Sequence, residues 1–317
     1  MRTVMKKILI IGAKGMLGQE LVSIFKDDKN YKVIAWDKED LDITNEVAVN
    51  KKIKVINPEI IINSAAYNAV DKCEKSKKEF ELAKKINGLA PGYLAKIAKK
   101  LKATLIHYST DYVFSGKDPE IEEPAGCTHS CGNCGLHKSA SRRIAPQIGY
   151  FENSKPKPIN QYGKTKLMGE KEVQENTKNY YIIRPSKIFG KPALAKGAKR
   201  SFFDVMLELG KKNNEVRVVD GEMSCFTYAP DLARKTKEIL ESKKPFGIYH
   251  VTNSGACTWH EAALELYQQK KLKTKVIPID SSDLKRPAKR PEISALINTK
   301  LNPLRNWQEA LREYLKK

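Results

Sequence analysis

A tyrosine and a lysine four positions apart, Tyr162 and Lys166, are the residues whose types and spacing point most directly to chemistry. The stretch from Tyr162 to Glu175 is predicted to be helical, so both side chains share one helix face. A lysine cation within reach favours the phenolate and lowers the tyrosine pKa from its usual value of about 10. The pair can then give a proton to an oxygen near neutral pH, as general acid catalysis requires. In a lysine-rich chain this spacing also arises by chance on a solvated helix face, so the interpretation depends on the surrounding elements.

A glycine-rich turn joins the first predicted strand to the first predicted helix. The apolar run from Ile8 to Ile11 indicates a strand buried on both faces, and helical spacing begins at Leu17. Strand, glycine turn and helix form the context of a dinucleotide-binding fingerprint, whose glycines allow a tight turn and close approach to the pyrophosphate. Free N–H groups at the start of the helix would receive the phosphates. The spacing is G-x-x-G-x-x-G, and a glycine turn without a ligand is the alternative. The candidate cofactor contacts in this turn are Gly12, Lys14, Gly15, Met16, Leu17 and Gly18.

Charged residues after the second predicted strand bear on which dinucleotide binds. The strand from Tyr31 to Trp36 ends at Asp37, whose carboxylate can accept hydrogen bonds from a ribose diol, as in NAD sites. Lys14 and Lys38 point to NADP instead, because either can pair with a 2′-phosphate. The choice between NADP and NAD therefore stays open. Two further candidates near the adenine, or at the start of the next helix, are Asp42 and Ile43.

Small and polar residues follow the third and fourth predicted strands, Ile60 to Ile62 and Thr104 to Tyr108. Alternating strands and helices favour a doubly wound parallel sheet, in which ligands bind at the carboxyl ends of the strands. The glycine turn, Asp37, Asn63 and Thr110 all fall at such ends, which makes the Tyr162–Lys166 pair credible. The cofactor candidates in this part of the chain are Asn63, Ala65, Ala66, Tyr67 and Asn87.

Length and composition set the outer limits of the prediction. The 317 residues suffice for two domains or one large α/β unit, and a hydrophobic content of 41% permits a sizeable core. The formal net charge is +21, but the lysines are spread over nearly every helix, so a nucleic-acid partner is not indicated. A basic balance would help to attract an anionic cofactor or a nucleotide-linked substrate. Without a long apolar run or a signal-peptide pattern, a cytoplasmic protein with no membrane segment is predicted.

Motifs along nearly the whole chain resemble those of the dTDP-4-dehydrorhamnose reductase family, within the extended short-chain dehydrogenase/reductases. The resemblance excludes only a segment at about 118–149. The matching motifs include Gly12-Ala13-Lys14-Gly15-Met16-Leu17-Gly18, Leu41-Asp42-Ile43-Thr44, Asn63-Ser64-Ala65-Ala66-Tyr67, Ser109-Thr110-Asp111-Tyr112-Val113-Phe114, Tyr162-Gly163-Lys164-Thr165-Lys166 and Arg286-Pro287-Ala288-Lys289-Arg290-Pro291.

The resemblance implies an α/β fold, with a Rossmann doubly wound parallel sheet and a smaller C-terminal α/β substrate domain. Residues 1–190 would form the NAD(P)-binding domain, with a Cys-rich insertion at about 118–149. Residues 191–317 would be mainly the substrate-binding domain, with 228–252 returning to the Rossmann domain.

Three residues match the catalytic set of this family. The resemblance implies that Tyr162 protonates the substrate carbonyl oxygen as hydride arrives from the nicotinamide. Lys166 would hold the nicotinamide ribose and lower the tyrosine pKa, and Thr110 would orient the substrate oxygen by a hydrogen bond. Tyr112 stands where related dehydratases carry the glutamate that abstracts a proton, which favours simple reduction. The implied function is NAD(P)H-dependent reduction of a 4-keto nucleotide sugar, as in dTDP-rhamnose biosynthesis.

The substrate half departs from the family pattern. The family motif Arg-Thr-Ser-Trp reads Arg184-Pro185-Ser186-Lys187 here and loses an aromatic residue that would line the sugar pocket. Lys187 indicates a more polar or more anionic group on the substrate, or else it is an exposed lysine at a strand end. The substrate contacts that we predict are Val70, Lys187 and Arg290.

Two other functions are alternatives to the reductase. The first follows from the same resemblance, and the second follows from the net positive charge. The fold also serves as a non-catalytic nucleotide-binding module, as in the regulatory subunit of methionine adenosyltransferase. A nucleic-acid binder would instead show salt-sensitive DNA binding. The intact set of Thr110, Tyr162 and Lys166 favours the enzyme. The partners expected are a nucleotide-sugar substrate and a second copy of the chain in a homodimer.

A cysteine cluster outside the family pattern predicts a structural metal. Cys127, Cys131 and Cys134 are close enough in sequence to share a tetrahedral ion, and His137 can supply the fourth ligand. Ligation would give order to a segment that cannot build a core of its own. Zinc is the predicted metal, an iron–sulfur cluster is a second option, and a loop of reduced, reactive thiols is the alternative. Because this segment lies between Thr110 and Tyr162 in the sequence, we predict that it covers the active site as a lid that the metal stiffens.

Overall fold

A parallel sheet of six strands forms the centre of the computed structural model, which describes residues 5–122, 147–195 and 197–316. In chain order the strands of this sheet are β1 (Lys6–Ile11), β2 (Tyr31–Trp36), β3 (Ile60–Asn63), β4 (Thr104–Tyr108), β7 (Tyr180–Arg184) and β12 (Gly247–His250). Every neighbouring pair is parallel, and the strands stand in the order β12-β7-β4-β3-β1-β2. The chain leaves β1 towards one edge and returns to β3 on the other side. This reversal opens a crevice at the carboxyl ends of β1 and β3, where ligands bind in such sheets.

Helices cover both faces of the sheet, so its strands are buried and read as continuous apolar runs. One face packs against α1 (Met16–Lys26) and α8 (Ala229–Glu241), through side chains such as Leu21 and Leu232. The other face packs against three helices, which are α2 (Glu46–Ile56), α5 (Ala90–Leu101) and α6 (Gln161–Asn176). The predicted α/β class and the doubly wound parallel sheet are confirmed.

The sequence predicts a helical region from Phe80 to Leu101 with an interruption near Gly88 and Pro91, and the structure has an irregular stretch there. The chain forms α4 (Lys77–Ala83), then one π-helical stretch (Lys84–Leu89), and then α5. A short α3 (Val70–Lys75) precedes them. In the wider π-helical turn the Asn87 carbonyl oxygen lies against Gly169 of α6, where any Cβ would overlap it. The irregularity therefore lets α6 approach closely, which sequence periodicity alone does not reveal.

A second hydrophobic core lies in the C-terminal part of the chain. It is built by α7 (Phe202–Lys212), α9 (Trp259–Lys270) and α10 (Trp307–Tyr314), with aromatic rings from Phe189, Phe203 and Phe226. The predicted capping box of Thr258 and Glu261 opens α9. Four small sheets complete this part: β9 (Glu215–Val219) with β15 (Lys275–Ile279), β8 (Ile188–Phe189) with β11 (Thr227–Tyr228), β10 (Met223–Cys225) with β14 (Ala256–Thr258), and β13 (Asn253–Ser254) with β16 (Leu304–Asn306).

A short antiparallel pair stands at the two ends of the predicted insertion. β5 (Glu120–Glu122) pairs with β6 (Gln147–Gly149), with Ile121 opposite Ile148. The four predicted zinc ligands fall between these strands, in residues 123–146, and so lie outside the described residues.

A buried ion pair ties α6 to the central sheet. Arg184 of β7 donates from Nε and Nη2 to the two carboxylate oxygens of Glu170, at 2.8 and 2.6 Å, and both side chains are at most 2% exposed. The guanidinium also lies 5.1 Å from the Phe114 ring centroid and 3.4 Å from His250 Nε2 on β12. Burial, with Arg184 as the next cause, lowers the pKa of His250 to about 3, so this histidine is neutral beside the cation.

A search of the described helices for a membrane span finds none of sufficient length and apolar character.

Candidate active site

The Tyr162–Lys166 pair lies in the first two turns of α6, and both side chains are buried. Asn160 caps this helix: its Oδ1 accepts from the backbone N–H of Gly163 at 2.8 Å. The Nδ2 group of Asn160 donates to the carbonyl of Lys289 at 3.0 Å. One asparagine thus fixes the start of the helix and joins it to the C-terminal part of the chain.

Lys166 is held by the sheet in this structure. Its ammonium donates to the backbone carbonyl of Tyr108, the last residue of β4, at 2.6 Å. Burial lowers the pKa of Lys166 to about 8, and Glu170 acts in the opposite direction.

Tyr162 keeps its proton in this arrangement. Burial raises the pKa of Tyr162, while the Thr110 hydroxyl acts in the opposite direction as a hydrogen-bonding neighbour. The phenol lies 3.5 Å from Asn68 Oδ1. The prediction that Lys166 lowers the pKa of Tyr162 is therefore wrong for this structure, because the ammonium is engaged by Tyr108 and burial dominates.

Thr110 is oriented by a buried carboxylate that received no role from the sequence. The Thr110 hydroxyl donates to Asp111 Oδ1 at 2.9 Å. Asp111 Oδ2 accepts from the hydroxyls of Ser186 and Ser294, at 2.8 and 2.7 Å. Burial raises the pKa of Asp111, and the Ser294 hydroxyl is the largest opposing effect. The signal available in the sequence was an acidic residue directly after a predicted strand end.

Apolar and aromatic side chains close the site around Tyr162. Val70 and Ala288 pack in one cluster with Tyr162, and Tyr112 and Tyr67 lie against this cluster. The Tyr112 ring meets the Tyr162 ring edge-on, with centroids 5.9 Å apart. Burial raises the pKa of Tyr112, so this residue does not provide the base that a dehydratase needs.

The glycine turn has the shape that a pyrophosphate requires. Gly12 has φ +81°, and a Cβ there would lie 2.7 Å from the backbone nitrogen of Ala65. A Cβ on Gly18 would overlap the carbonyl of Gly12. Gly15 caps α1 through its backbone alone, so the N–H groups of the first turn, at Met16 and Leu17, stay available to an anion. These residues fit a dinucleotide.

Lys14 and Asp37 lie together at the end of β2. Asp37 accepts from the backbone N–H groups of Lys14 and Lys38, at 2.9 and 2.8 Å. The Lys14 ammonium pairs with Glu39 at 2.9 Å on the exposed surface. A carboxylate suited to a ribose and lysines suited to a 2′-phosphate are thus neighbours, and the geometry favours neither nucleotide alone.

Some of the remaining predicted cofactor residues already form hydrogen bonds within the protein. The Asn87 side-chain amide accepts from the backbone N–H of Tyr67 at 2.8 Å and donates to its carbonyl at 3.0 Å and to Thr165 Oγ1 at 3.2 Å. Asn63 contacts His107 Nδ1 at 3.2 Å and accepts from the backbone of Ala65. Both asparagines therefore shape the site. Asp42 is exposed, and its Oδ1 accepts from the backbone N–H and the hydroxyl of Thr44, at 2.9 and 2.7 Å. Ala66 is partly buried, and Ile43 is buried in the core beside the sheet.

The predicted substrate residue Arg290 lies against the active-site cluster. Its Nη2 group donates to Asp71 at 2.7 Å, and its Nη1 group donates to the carbonyl of Ala288 at 2.8 Å. Lys187 lies away from this cluster, against the aromatic rings of Phe226 and Trp259. Its ammonium lies over the ring of Trp259, so the expectation of an exposed lysine at a strand end is wrong.

The metal prediction finds no counterpart in the described ranges. No group of three or more potential ligands is present among residues 5–122, 147–195 and 197–316. The predicted ligands Cys127, Cys131, Cys134 and His137 lie outside these ranges, so the zinc site stays a prediction.

Comparison with known proteins agrees with this site. Residues 5–317 match the family model described as RmlD substrate binding domain. The spore coat polysaccharide biosynthesis protein SpsK of Bacillus subtilis is 33% identical over 315 residues, covering 98% of this chain and 97% of that protein. A crystal structure of a dTDP-4-dehydrorhamnose reductase from Clostridium acetobutylicum superimposes with a TM-score of 0.83, at 36% identity and 98% coverage of both chains.

A second solved structure carries a cofactor. The dTDP-4-dehydrorhamnose reductase of Bacillus anthracis, in complex with NADP, has a TM-score of 0.83, 30% identity and 99% coverage of both chains. These matches extend over the central sheet, the glycine turn and the C-terminal part alike. The chain therefore belongs to the dTDP-4-dehydrorhamnose reductase family.

Proposed function

We propose that this protein reduces a 4-keto nucleotide sugar, with NADPH or NADH as the hydride donor. The observation that carries the proposal is the convergence of Tyr162, Thr110 and Lys166 on the carboxyl end of β4, one strand away from the crevice between β1 and β3. The relatives named dTDP-4-dehydrorhamnose reductase support a dTDP-linked sugar. The complex of one of them with NADP supports the phosphorylated dinucleotide as cofactor.

In the proposed reaction, a carbonyl becomes an alcohol, so its carbon gains a hydride and its oxygen gains a proton. The bound dinucleotide supplies the hydride. Tyr162 supplies the proton, and its raised pKa keeps the phenol protonated at neutral pH. When the sugar binds, the Thr110 hydroxyl would turn its hydrogen from Asp111 to the carbonyl oxygen and hold that oxygen in line with this donor. Lys166 would exchange the carbonyl of Tyr108 for the ribose hydroxyls and so place a cation beside the phenol.

The glycine turn and the end of β2 would hold the dinucleotide, together with the loop after β3. On the substrate side, Val70 would pack against the sugar beside Tyr162, and Arg290 would face the diphosphate. We also propose that residues 1–190 form the NAD(P)-binding domain and 191–317 mainly the substrate domain. We expect a homodimer in the cytoplasm, which light scattering and cell fractionation would test.

The proposal is tested by NAD(P)H oxidation with dTDP-4-dehydrorhamnose as the substrate. We expect turnover that depends on the nucleotide sugar, and product formation in equal amount to the nucleotide consumed. Parallel assays with NADPH and NADH would rank the two cofactors. Binding of NADPH without any turnover would contradict the enzyme and favour the non-catalytic subunit described above.

We further propose that Cys127, Cys131, Cys134 and His137 bind one zinc ion. Protein purified without chelator should then contain about one zinc per chain by elemental analysis. The double variant Cys131→Ser/Cys134→Ser should lose it, while Cys73→Ser, a change at a cysteine elsewhere in the chain, should retain it. Wild-type protein free of metal would refute the site.

A further inference from the structure

Lys187 lies next to the residues that orient Thr110. Its neighbour Ser186 donates to Asp111, and its own carbonyl accepts from the backbone of Thr227 at 3.3 Å, where β8 joins β11. The backbone of Lys187 has φ +36°, in the left-handed region that a lysine rarely adopts. The other lysines with positive φ among the described residues, Lys102, Lys243 and Lys271, lie at or just after helix ends, where this conformation is ordinary. Lys187 lies between two strands instead, so the surrounding structure must hold its strained backbone.

The Lys187 ammonium rests on a rigid aromatic wall. It lies 3.4 Å from the centroid of the Trp259 ring and 5.5 Å from that of Phe226. The indole N–H of Trp259 donates to Glu222 at 3.0 Å, and Arg286 binds the same carboxylate. The ring that supports the ammonium is therefore fixed by a buried charge pair, and the cation–π contact sets the position of the cation.

The ammonium of Lys187 lacks an oxygen partner that other lysines of this kind possess. Three further lysines lie over aromatic rings, at longer distances, and each also reaches an oxygen atom. They are Lys96 (Tyr93 ring, 5.6 Å; Glu46, 3.0 Å), Lys237 (Tyr31 ring, 5.9 Å; Asp28, 2.6 Å) and Lys300 (Tyr249 ring, 5.3 Å; Ile248 carbonyl, 2.9 Å). Among the described residues, none offers Lys187 an oxygen within hydrogen-bond or ion-pair distance. A partly buried cation with three donors and no protein acceptor is unfavourable, and a bound ligand can correct this.

We propose that Lys187 determines specificity by binding an oxygen atom of the sugar, from a hydroxyl or a carboxylate. The inference rests on the proposed reductase function, because the sugar must enter beside Thr110. Lys187 is only partly buried, so the ammonium can be reached from the site. The enzyme should then prefer a sugar with an oxygen at this wall to one that presents a methyl group there.

The charged surroundings keep Lys187 cationic at neutral pH. Burial lowers the pKa of Lys187 to about 8, and Asp111 is the largest opposing effect. The ionised Glu222 also favours the charged form, whereas burial raises the pKa of the Cys257 and Cys225 thiols, which are therefore neutral at pH 7. Since the folded pKa lies below the ordinary lysine value, the cation is present below pH 8 and is lost as the pH rises through 8.

Calorimetric titration with three nucleotide sugars tests the proposal without requiring turnover. The probes are dTDP-D-glucuronic acid, dTDP-D-glucose and dTDP-6-deoxy-D-glucose, whose sugars share one ring configuration and carry a carboxylate, a hydroxymethyl and a methyl group at the same carbon. In Lys187→Met, the affinity for at least one oxygen-bearing sugar should fall by about tenfold or more, because a hydrogen bond to a charged group is lost. The affinity for dTDP-6-deoxy-D-glucose should stay within about twofold. Lys187→Arg should retain most of the preference, and Lys96→Met, at an exposed lysine on a ring, should change nothing.

A second measurement follows the effect of pH. Wild-type protein should lose its preference for the oxygen-bearing sugar as the pH rises through the pKa of Lys187, whereas Lys187→Arg should keep it, because arginine stays protonated. Equal losses for all three sugars in Lys187→Met, or a preference that falls with pH equally in wild-type protein and Lys187→Arg, would overturn the inference alone. Wild-type protein that binds none of the three sugars would overturn the proposed function and the inference with it.

Discussion

Replacing Tyr162 by phenylalanine should lower kcat by about 10²- to 10⁴-fold, the range that general acid catalysis contributes. The variant keeps the ring that packs against Val70 and Cys73 and removes only the hydroxyl. NADPH affinity should therefore stay within about twofold. Steady-state kinetics at saturating substrate and a fluorescence titration with NADPH would measure the two quantities.

Tyr112→Phe is the matched control for this prediction. The two rings touch edge-on, burial raises the pKa of both phenols, and each variant loses one hydroxyl. Tyr112→Phe should retain most of the activity because Tyr112 is not assigned as the proton donor. Near-normal turnover in Tyr162→Phe would remove the donor role from this residue.

Lys166→Ala should impair both turnover and NADPH binding, which separates its role from that of Tyr162. The ammonium that now binds the Tyr108 carbonyl would be missing, and with it the proposed contact to the ribose. An unchanged dissociation constant for NADPH in Lys166→Ala would contradict the ribose contact.

Truncation of Glu170 to alanine should destabilise the protein by about 3–5 kcal/mol, the second large effect that we expect. The change leaves the Arg184 guanidinium buried without its bidentate partner, beside the neutral His250. Urea unfolding, followed by circular dichroism, would measure the loss. Because α6 carries Tyr162 and Lys166, activity at raised temperature should fall in parallel.

Two comparisons make the Glu170 prediction specific. The double variant Glu170→Met/Arg184→Met should recover most of the stability, since neither charge is then left buried alone. Glu46→Ala breaks the exposed pair with Lys96, whose side chains are over 40% exposed, and should cost at most about 1 kcal/mol. If Glu170→Ala and Glu46→Ala lowered the free energy of unfolding by similar amounts, burial of the Arg184–Glu170 pair would not make it more important for stability than an exposed pair.

Much of the central sheet could be predicted because its strands are buried on both faces. β2 and β4 were predicted with their observed bounds, since each is an apolar run with a clear end. The pairs β8–β11 and β13–β16 contain strands of two or three residues, which are too short for any periodic pattern. Their existence depends on partners far away in the sequence.

The site was predictable in its residue types but not in its contacts. Tyr162 and Lys166 followed from their spacing and the role of Thr110 from the family resemblance, whereas the bond from Thr110 to Asp111 depends on side-chain direction after a strand end. The pKa of Tyr162 was predicted to fall and is raised instead, because burial is a property of the whole fold. The contact of Lys187 with Trp259 joins two distant segments that no local pattern connects.

The parallel pairing of β12 with β7 has a consequence for how the chain folds as it is synthesised. Five strands of the sheet, from β1 to β7, are complete once Arg184 has left the ribosome, but β12 arrives only after residues 185–246. Until then, β7 presents an unpaired edge, the kind of surface on which strands from other chains add. Long connections between parallel strands also slow folding, because the chain loses the entropy of loop closure before the stabilising contacts between the strands can form. The nascent chain between Arg184 and His250 is therefore the species most exposed to aggregation, although its catalytic helix has already been made.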